Sequence, residues 1–179
     1  YNIIIEAIMK EDKRIINSRN KIESSFINCM MNKTIDEITI NEICNEANIN
    51  RSTFYEHYLD KNDLYKEIET MVTNKISESF DDKFMSLTLN DGLKHLYTFI
   101  HSHKHEFIFV ARDYYKSNAQ LSLFKIFSTF VSMHTKYNDT FFLHFVFWGF
   151  INTSYEWVIS DYQKSVEEMV IDISRILCN

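Results

Sequence analysis

The chain of 179 residues has no proline and only two glycines, Gly92 and Gly149. It lacks the residues that most readily make β-turns and hairpins, which disfavours a sheet protein. Cysteine is sparse: Cys29, Cys44 and Cys178 are odd in number, widely spaced and form no C-x-x-C pair. That is a poor disulfide framework and no zinc signature, and it fits a reducing cytoplasm. Glycine-rich phosphate loops, nucleophile elbows and metal motifs are also missing, so the sequence offers no catalytic residue, no metal and no cofactor. Positive charge is short too: 19 Lys and Arg against 25 Asp and Glu leave a net charge of −6, which excludes indiscriminate nucleic-acid binding. Residues 1–9 are apolar but lack the basic start and cleavage site of a secretory signal.

What is there is aromatic and helical. Fifteen Phe and ten Tyr supply a bulky interior, and Asn, Asp, Ser and Thr supply the stops. The expected fold is all-α, with a three-helix helix-turn-helix domain over residues 1–60 and an antiparallel helical regulatory and dimerisation domain over 61–179. Apolar residues Ile15, Ile22, Phe26, Cys29 and Met30 recur at helical spacing over 13–31. Thr39-Ile-Asn-Glu42 reads as a capping box that opens a second helix to about Ala47. Asn48-Ile49-Asn50 is a turn, with Asn48 suited to the left-handed conformation and Asn50 placed to cap a third helix over about 51–58. A long fourth helix, about 61–85, carries the stripe Leu64, Ile68, Met71 or Val72, Ile76, Phe80 and Phe84. Further helices are expected over about 91–102, 104–115, 118–136, 139–160 and 165–178. The last opens with a second capping box, Ser165-Val-Glu-Glu168.

Residues 39–61 organise the rest. Two short helices joined by a tight turn place a polar helix where it can enter the major groove of DNA. Arg51 can pair bidentately with a guanine edge, and Ser52 and Thr53 are short enough to let the helix approach bases. Tyr55, His57, Tyr58 and Lys61 can donate to phosphates. Thr39 and Asn50 sit at helix N-termini, where free N–H groups suit phosphate. Taken singly, each residue favours a solvated helical hairpin; the combination points to double-stranded DNA. Residues 13–21 add Lys13, Arg14, Arg19 and Lys21 with no acid, so binding would use a placed patch.

The stretch I-T-I-N-E-I-C-N-E-A-N-I-N-R-S-T-F-Y-E-H-Y-L-D-K at 38–61, with R-I-I-N-S-R-N-K-I-E-S-S-F at 14–26, resembles the TetR family of bacterial transcriptional regulators. Many members have glycine where this chain has Asn48. The resemblance implies phosphate contacts from Thr39, Tyr55, His57 and Lys61, and base contacts from Asn50, Arg51, Ser52 and Thr53. It also implies a repressor that binds a pseudo-palindromic operator as a homodimer and is released by a small hydrophobic or aromatic ligand. F-x-F-W-G-F-I-N-T-S-Y-E-W-V-I followed by S-V-E-E-M is similar to the last helices of a subgroup that includes regulators of dihydroxyacetone kinase genes. In the family those helices form the dimer interface, expected here at about 140–178. That accounts for the apolar run 140–159 better than a membrane span does, since His144, Asn152 and Glu156 interrupt it.

Three other features carry bland and sharp readings. Of His101, His103 and His105, the first and last are four apart and could share a metal on one helix, but the segment also reads as a helix break with no completing ligand. Phe80, Phe84, Tyr97, Phe107, Phe127, Phe130 and Trp148 could line a ligand cavity or fill a core. Cys44 could sense oxidants, but a buried structural cysteine is the simpler reading. Two alternatives to a ligand-released repressor stand open: a regulator of the same fold without an inducer, or an activator, and a helical interaction module that has lost DNA binding.

Overall fold

A computed structural model describes residues 2–112, 117–136 and 138–178, with the backbone alone for 2–12. Among these residues all regular structure is helical: α1 (Asn2–Met30), α2 (Ile40–Ala47), α3 (Arg51–His57), α4 (Lys61–Ser79), α5 (Asp82–Met85), α6 (Leu89–Ser102), α7 (Lys104–Arg112), α8 (Asn118–His134), α9 (Thr140–Ile159) and α10 (Val166–Cys178). The chain divides into two compact units within α4, between Ile68 and Glu69. The last residues of the predicted 104–115 helix lie outside the described residues.

In the first unit α1 packs on α2 and α3. Ile22, Phe26, Ile43, Phe54 and Leu64 are fully buried there. At about 1.5–3 kcal/mol for each large apolar side chain removed from water, this cluster is the main force holding so small a unit. Burial along α1 begins at Ile22. Ile15, expected in the buried stripe, is 48% exposed, because the short α2 and α3 cover only the C-terminal half of α1. Ile40 is half-buried, while Ile43, Cys44 and Ala47 are inside.

The predicted fourth helix is broken. Phe80 and Phe84 keep helical spacing across the break, but the Asp81 carboxylate accepts from the backbone N–H of Lys83 and Phe84 and opens the separate turn α5. In the second unit α10 packs on α6, and α9 on α7 and α8. The interior is an aromatic stack in which Phe127 lies 4.9 Å from Phe150 and Phe84 4.6 Å from Phe130. Phe130 reaches its place because position 92 is glycine. A Cβ there would stand 2.0 Å from the Phe130 ring.

The side chains of α9 that face inward are Val146, Phe147, Phe150, Ile151, Trp157 and Val158. Its outer stripe is also apolar: Phe141, Phe145, Trp148 and Ile159 are 81%, 70%, 38% and 42% exposed. Two apolar faces explain the membrane-like composition of 140–159. No helix among the described residues is long and apolar enough to cross a membrane.

Candidate nucleic-acid interface

The helix-turn-helix is built from local hydrogen bonds that the sequence announces. Thr39 Oγ1 accepts from the Glu42 N–H at 3.3 Å, and the Glu42 carboxylate accepts from the Thr39 N–H at 2.9 Å. Lys33 closes on the same carboxylate. Lys33 first, and then the Thr39 donors, hold the Glu42 carboxyl down at about 2. Asn48 takes the left-handed conformation, φ 52° and ψ 53°, and its N–H returns to the Asn45 and Cys44 carbonyls. Asn50 is the N-cap of α3 by backbone geometry, but its side chain makes no capping bond. The expected side-chain cap is thus corrected: the Asn50 amide is exposed and uncommitted to α3.

On α3 the inward face is Phe54, fully buried, and the outward face carries Arg51, Ser52 and Tyr55; Thr53 is half-buried. Arg51 Nη2 donates to Tyr55 Oη at 3.0 Å, and the guanidinium carbon lies 5.7 Å from the Tyr55 ring centroid. The Tyr55 ring stands edge-on against Phe54, with centroids 5.6 Å apart at 87°.

Tyr58 corrects its expected role. It is 2% exposed, its ring lies 5.8 Å from Phe54, and its hydroxyl donates to Glu23 Oε1 at 2.9 Å. Burial first, and then the Glu23 carboxylate, push its phenol well up. It is a core residue and cannot offer a donor to phosphate. The signal was present: Tyr58 follows Phe54 by four residues and so shares its inward face. Around it lies a set of partners that sequence reasoning missed. Arg19 Nε donates to Glu23 at 3.0 Å and its other end pairs with Glu67 of α4. The Arg19–Glu23 spacing was legible; the Glu67 contact is tertiary and was not.

His57 and Lys61 are engaged within the protein. Ser18 Oγ donates within α1, with the Arg14 and Ile15 carbonyls at 3.0 and 2.9 Å, and lies 2.7 Å from His57 Nε2. Lys61 Nζ donates to the carbonyls of Ile35, Asp36 and Ile38 at 2.7, 3.0 and 2.9 Å. All three ammonium protons fasten the α1–α2 connection, so a phosphate contact by Lys61 requires giving one up. Thr39 is exposed at the start of α2. Cys44 is buried and its thiol is pushed up by desolvation, the opposite of an activated thiolate.

The three histidines expected to form or break a site diverge. His101 lies 4.5 Å from the Tyr162 ring, and His103 stacks on Phe99 with Nδ1 3.1 Å from its carbonyl. Among the described residues no three His, Cys, Asp or Glu gather as a metal group.

A capped helix-turn-helix leading into a long fourth helix and a helical second unit is the fold of the TetR transcriptional regulators. A TetR transcriptional regulator from Streptococcus agalactiae is similar over 96% of this chain and 99% of its own, with 19% identity and a TM-score of 0.60. The transcriptional regulator FadR from Bacillus subtilis, solved in complex with stearoyl-CoA, is similar over 89% of this chain and 97% of its own, with 14% identity and a TM-score of 0.54. In sequence the chain is 30% identical over 81 residues to an uncharacterized HTH-type transcriptional regulator, YxbF, of Bacillus subtilis. That match covers 45% of this chain and 20% of the relative, so the chain spans about a fifth of it. No protein-family profile matches the chain.

Proposed function

We propose that the chain is a DNA-binding transcriptional regulator of the TetR kind, acting as a homodimeric repressor on a pseudo-palindromic operator. The observation that carries this reading is the outward face of α3. Arg51, Ser52 and Tyr55 stand exposed on a helix that Phe54 and Tyr58 lock into the core. Arg51 supplies base readout, and Thr39, Ser52, Thr53 and Asn50 supply close approach and positioning. With a two-fold axis, the two recognition helices stand about 34–36 Å apart, or a multiple of that, along the operator.

The interior favours one version of the release step. The enclosed space among Val72, Ile76, Phe99, Ile100, Phe107 and Leu123 is about 10 Å³, which is room for one water at most. FadR of Bacillus subtilis was solved with stearoyl-CoA; a ligand of that size does not fit this space, and the larger openings of the second unit are surface clefts, one of about 530 Å³ beside Ser79, Phe84, His95 and His103 and one of about 510 Å³ beside Trp157, Met169 and Ile173. Of the aromatic side chains weighed as pocket walls, Phe80 and Phe107 line this small space, Phe84, Tyr97, Phe127 and Phe130 are buried, and Trp148 is 38% exposed. A ligand that enters this small space requires the core around it to open first, and it must bind the open state better than the closed one.

The test is a gel shift with DNA from upstream of the gene itself, across a salt series. Specific binding that weakens steeply with salt, and that Arg51→Ala weakens in a protein that still folds, supports the reading. If the folded protein binds no genomic fragment in a salt-dependent way, DNA binding is lost as a function.

A further inference from the structure

We propose that Tyr55 is a positioning residue for Arg51, setting the guanidinium to read a single G·C pair, and is not chiefly a phosphate anchor. This rests on the DNA-binding reading above and deepens it. Four observations meet at one place. Arg51 and Tyr55 are four residues apart, so they share the exposed face of α3. The Tyr55 hydroxyl accepts from Arg51 Nη2 at 3.0 Å. The guanidinium also lies beside the Tyr55 ring, 5.7 Å from its centroid. And the ring is itself braced edge-on by Phe54, which is fully buried. The chain of support runs from the core to the reading group: Phe54 fixes Tyr55, and Tyr55 fixes Arg51.

The physical gain is pre-organisation. An unsupported arginine loses most of its rotamer freedom on docking, whereas one already held loses less for each hydrogen bond it forms. One of the five guanidinium N–H groups goes to Tyr55, which leaves a fork for guanine O6 and N7. A bidentate pair discriminates G from other bases by about 5- to 150-fold. Loss of the support should erode that preference without touching the electrostatic part of binding.

The experiment is selection from a random-sequence duplex library, using the full chain and three variants: Tyr55→Phe, Arg51→Ala and the double substitution. Tyr55→Phe keeps the ring that rests on Phe54, and a melting curve checks that the fold is intact. The expected result is that wild type selects a G at one position of each half-site and Arg51→Ala loses that preference. Tyr55→Phe weakens it about three- to fivefold with the other positions and the salt slope unchanged. In the Arg51→Ala background, Tyr55→Phe then has no further effect, since the two act as a unit. The proposal is overturned if Tyr55→Phe lowers affinity equally for all sequences, reduces the salt slope by about one and does so in the Arg51→Ala background too. That is the behaviour of a phosphate contact. It is also overturned if Tyr55→Phe changes nothing. If wild type enriches no sequence at all, the DNA-binding reading fails and the proposal falls with it, a result distinct from either of these.

Discussion

Tyr58, not the exposed part of α3, joins this helix to its neighbours. Its hydroxyl meets Glu23, Glu23 meets Arg19, and Arg19 meets Glu67. One short network thus ties the end of α3 and the first turns of α4 to α1. Glu23 is only 14% exposed in its side chain, so removing a donor leaves a carboxylate that water reaches poorly. Tyr58→Phe is expected to destabilise the protein by about 0.5–1.5 kcal/mol, the net worth of one such bond. The ring would stay in place against Phe54. Urea unfolding should read this loss, while the salt slope of DNA binding should stay the same. A fall in that slope would instead return Tyr58 to the phosphate contacts. Tyr55, three residues earlier and 47% exposed, contrasts with it: one tyrosine lies on the outer face of α3, and the other, at its C-cap, turns into the core.

Local hydrogen bonding made some elements readable in the sequence and its absence hid others. T-I-N-E and S-V-E-E announced α2 and α10 because a capping box closes within four residues; at α10 the Glu168 carboxylate accepts from the Ser165 N–H at 2.7 Å. Asn48 announced the left-handed end of α2 for the same reason. The break at Asp81 is hidden in the sequence, since Phe80 and Phe84 preserve the apolar period through it. In the site, Arg51, Ser52 and Tyr55 were legible as an outward face. The commitments of Lys61 to three carbonyls and of His57 to Ser18 were not, because they depend on where α1 lies. The cap of α2 also carries a pH signature. The Glu42 carboxyl is lowered from 4.5 to about 2, by Lys33 first and Thr39 next. The unfolded chain therefore takes up this proton more readily, so the contribution is present above about pH 4.5 and fades as pH falls toward 2. Glu42→Gln should lower the melting temperature near neutrality, and its gap to wild type should narrow steadily across that window. A gap that stays constant down to about pH 2 would show that the cap does not titrate as described.

The acidic chain and the doubly apolar α9 bear on one question raised by the proposed function, how a protein with charge −6 would hold DNA. A single acidic helix-turn-helix unit gains little from counterion release, so the proposed function calls for two copies acting together. The outer stripe of α9 supplies the means. Phe141, Phe145, Trp148, Asn152 and Ile159 lie along one line of the helix, opposite Phe147, Phe150 and Val158, and α10 adds exposed Ile171 and Ile176. Contiguous apolar surface of this kind marks an interaction site, and self-association through α9 and α10 is the proposal that uses it. Gly149 adjoins the stripe with nothing within 4 Å of a Cβ position, leaving room for a second helix to approach. Phe145→Glu puts a charge in the middle of the stripe without touching the inward face. In sedimentation velocity at micromolar concentration, wild type should run as a dimer and Phe145→Glu as a monomer, with helicity and the melting transition of the monomer preserved. Operator binding should then fall by about 100-fold or more, because the second half-site no longer benefits from effective concentration. The same variant should bind an isolated half-site as wild type does, since Arg51 and Tyr55 are untouched. A wild type that sediments as a monomer at these concentrations would remove the dimer and, with it, the pseudo-palindromic operator.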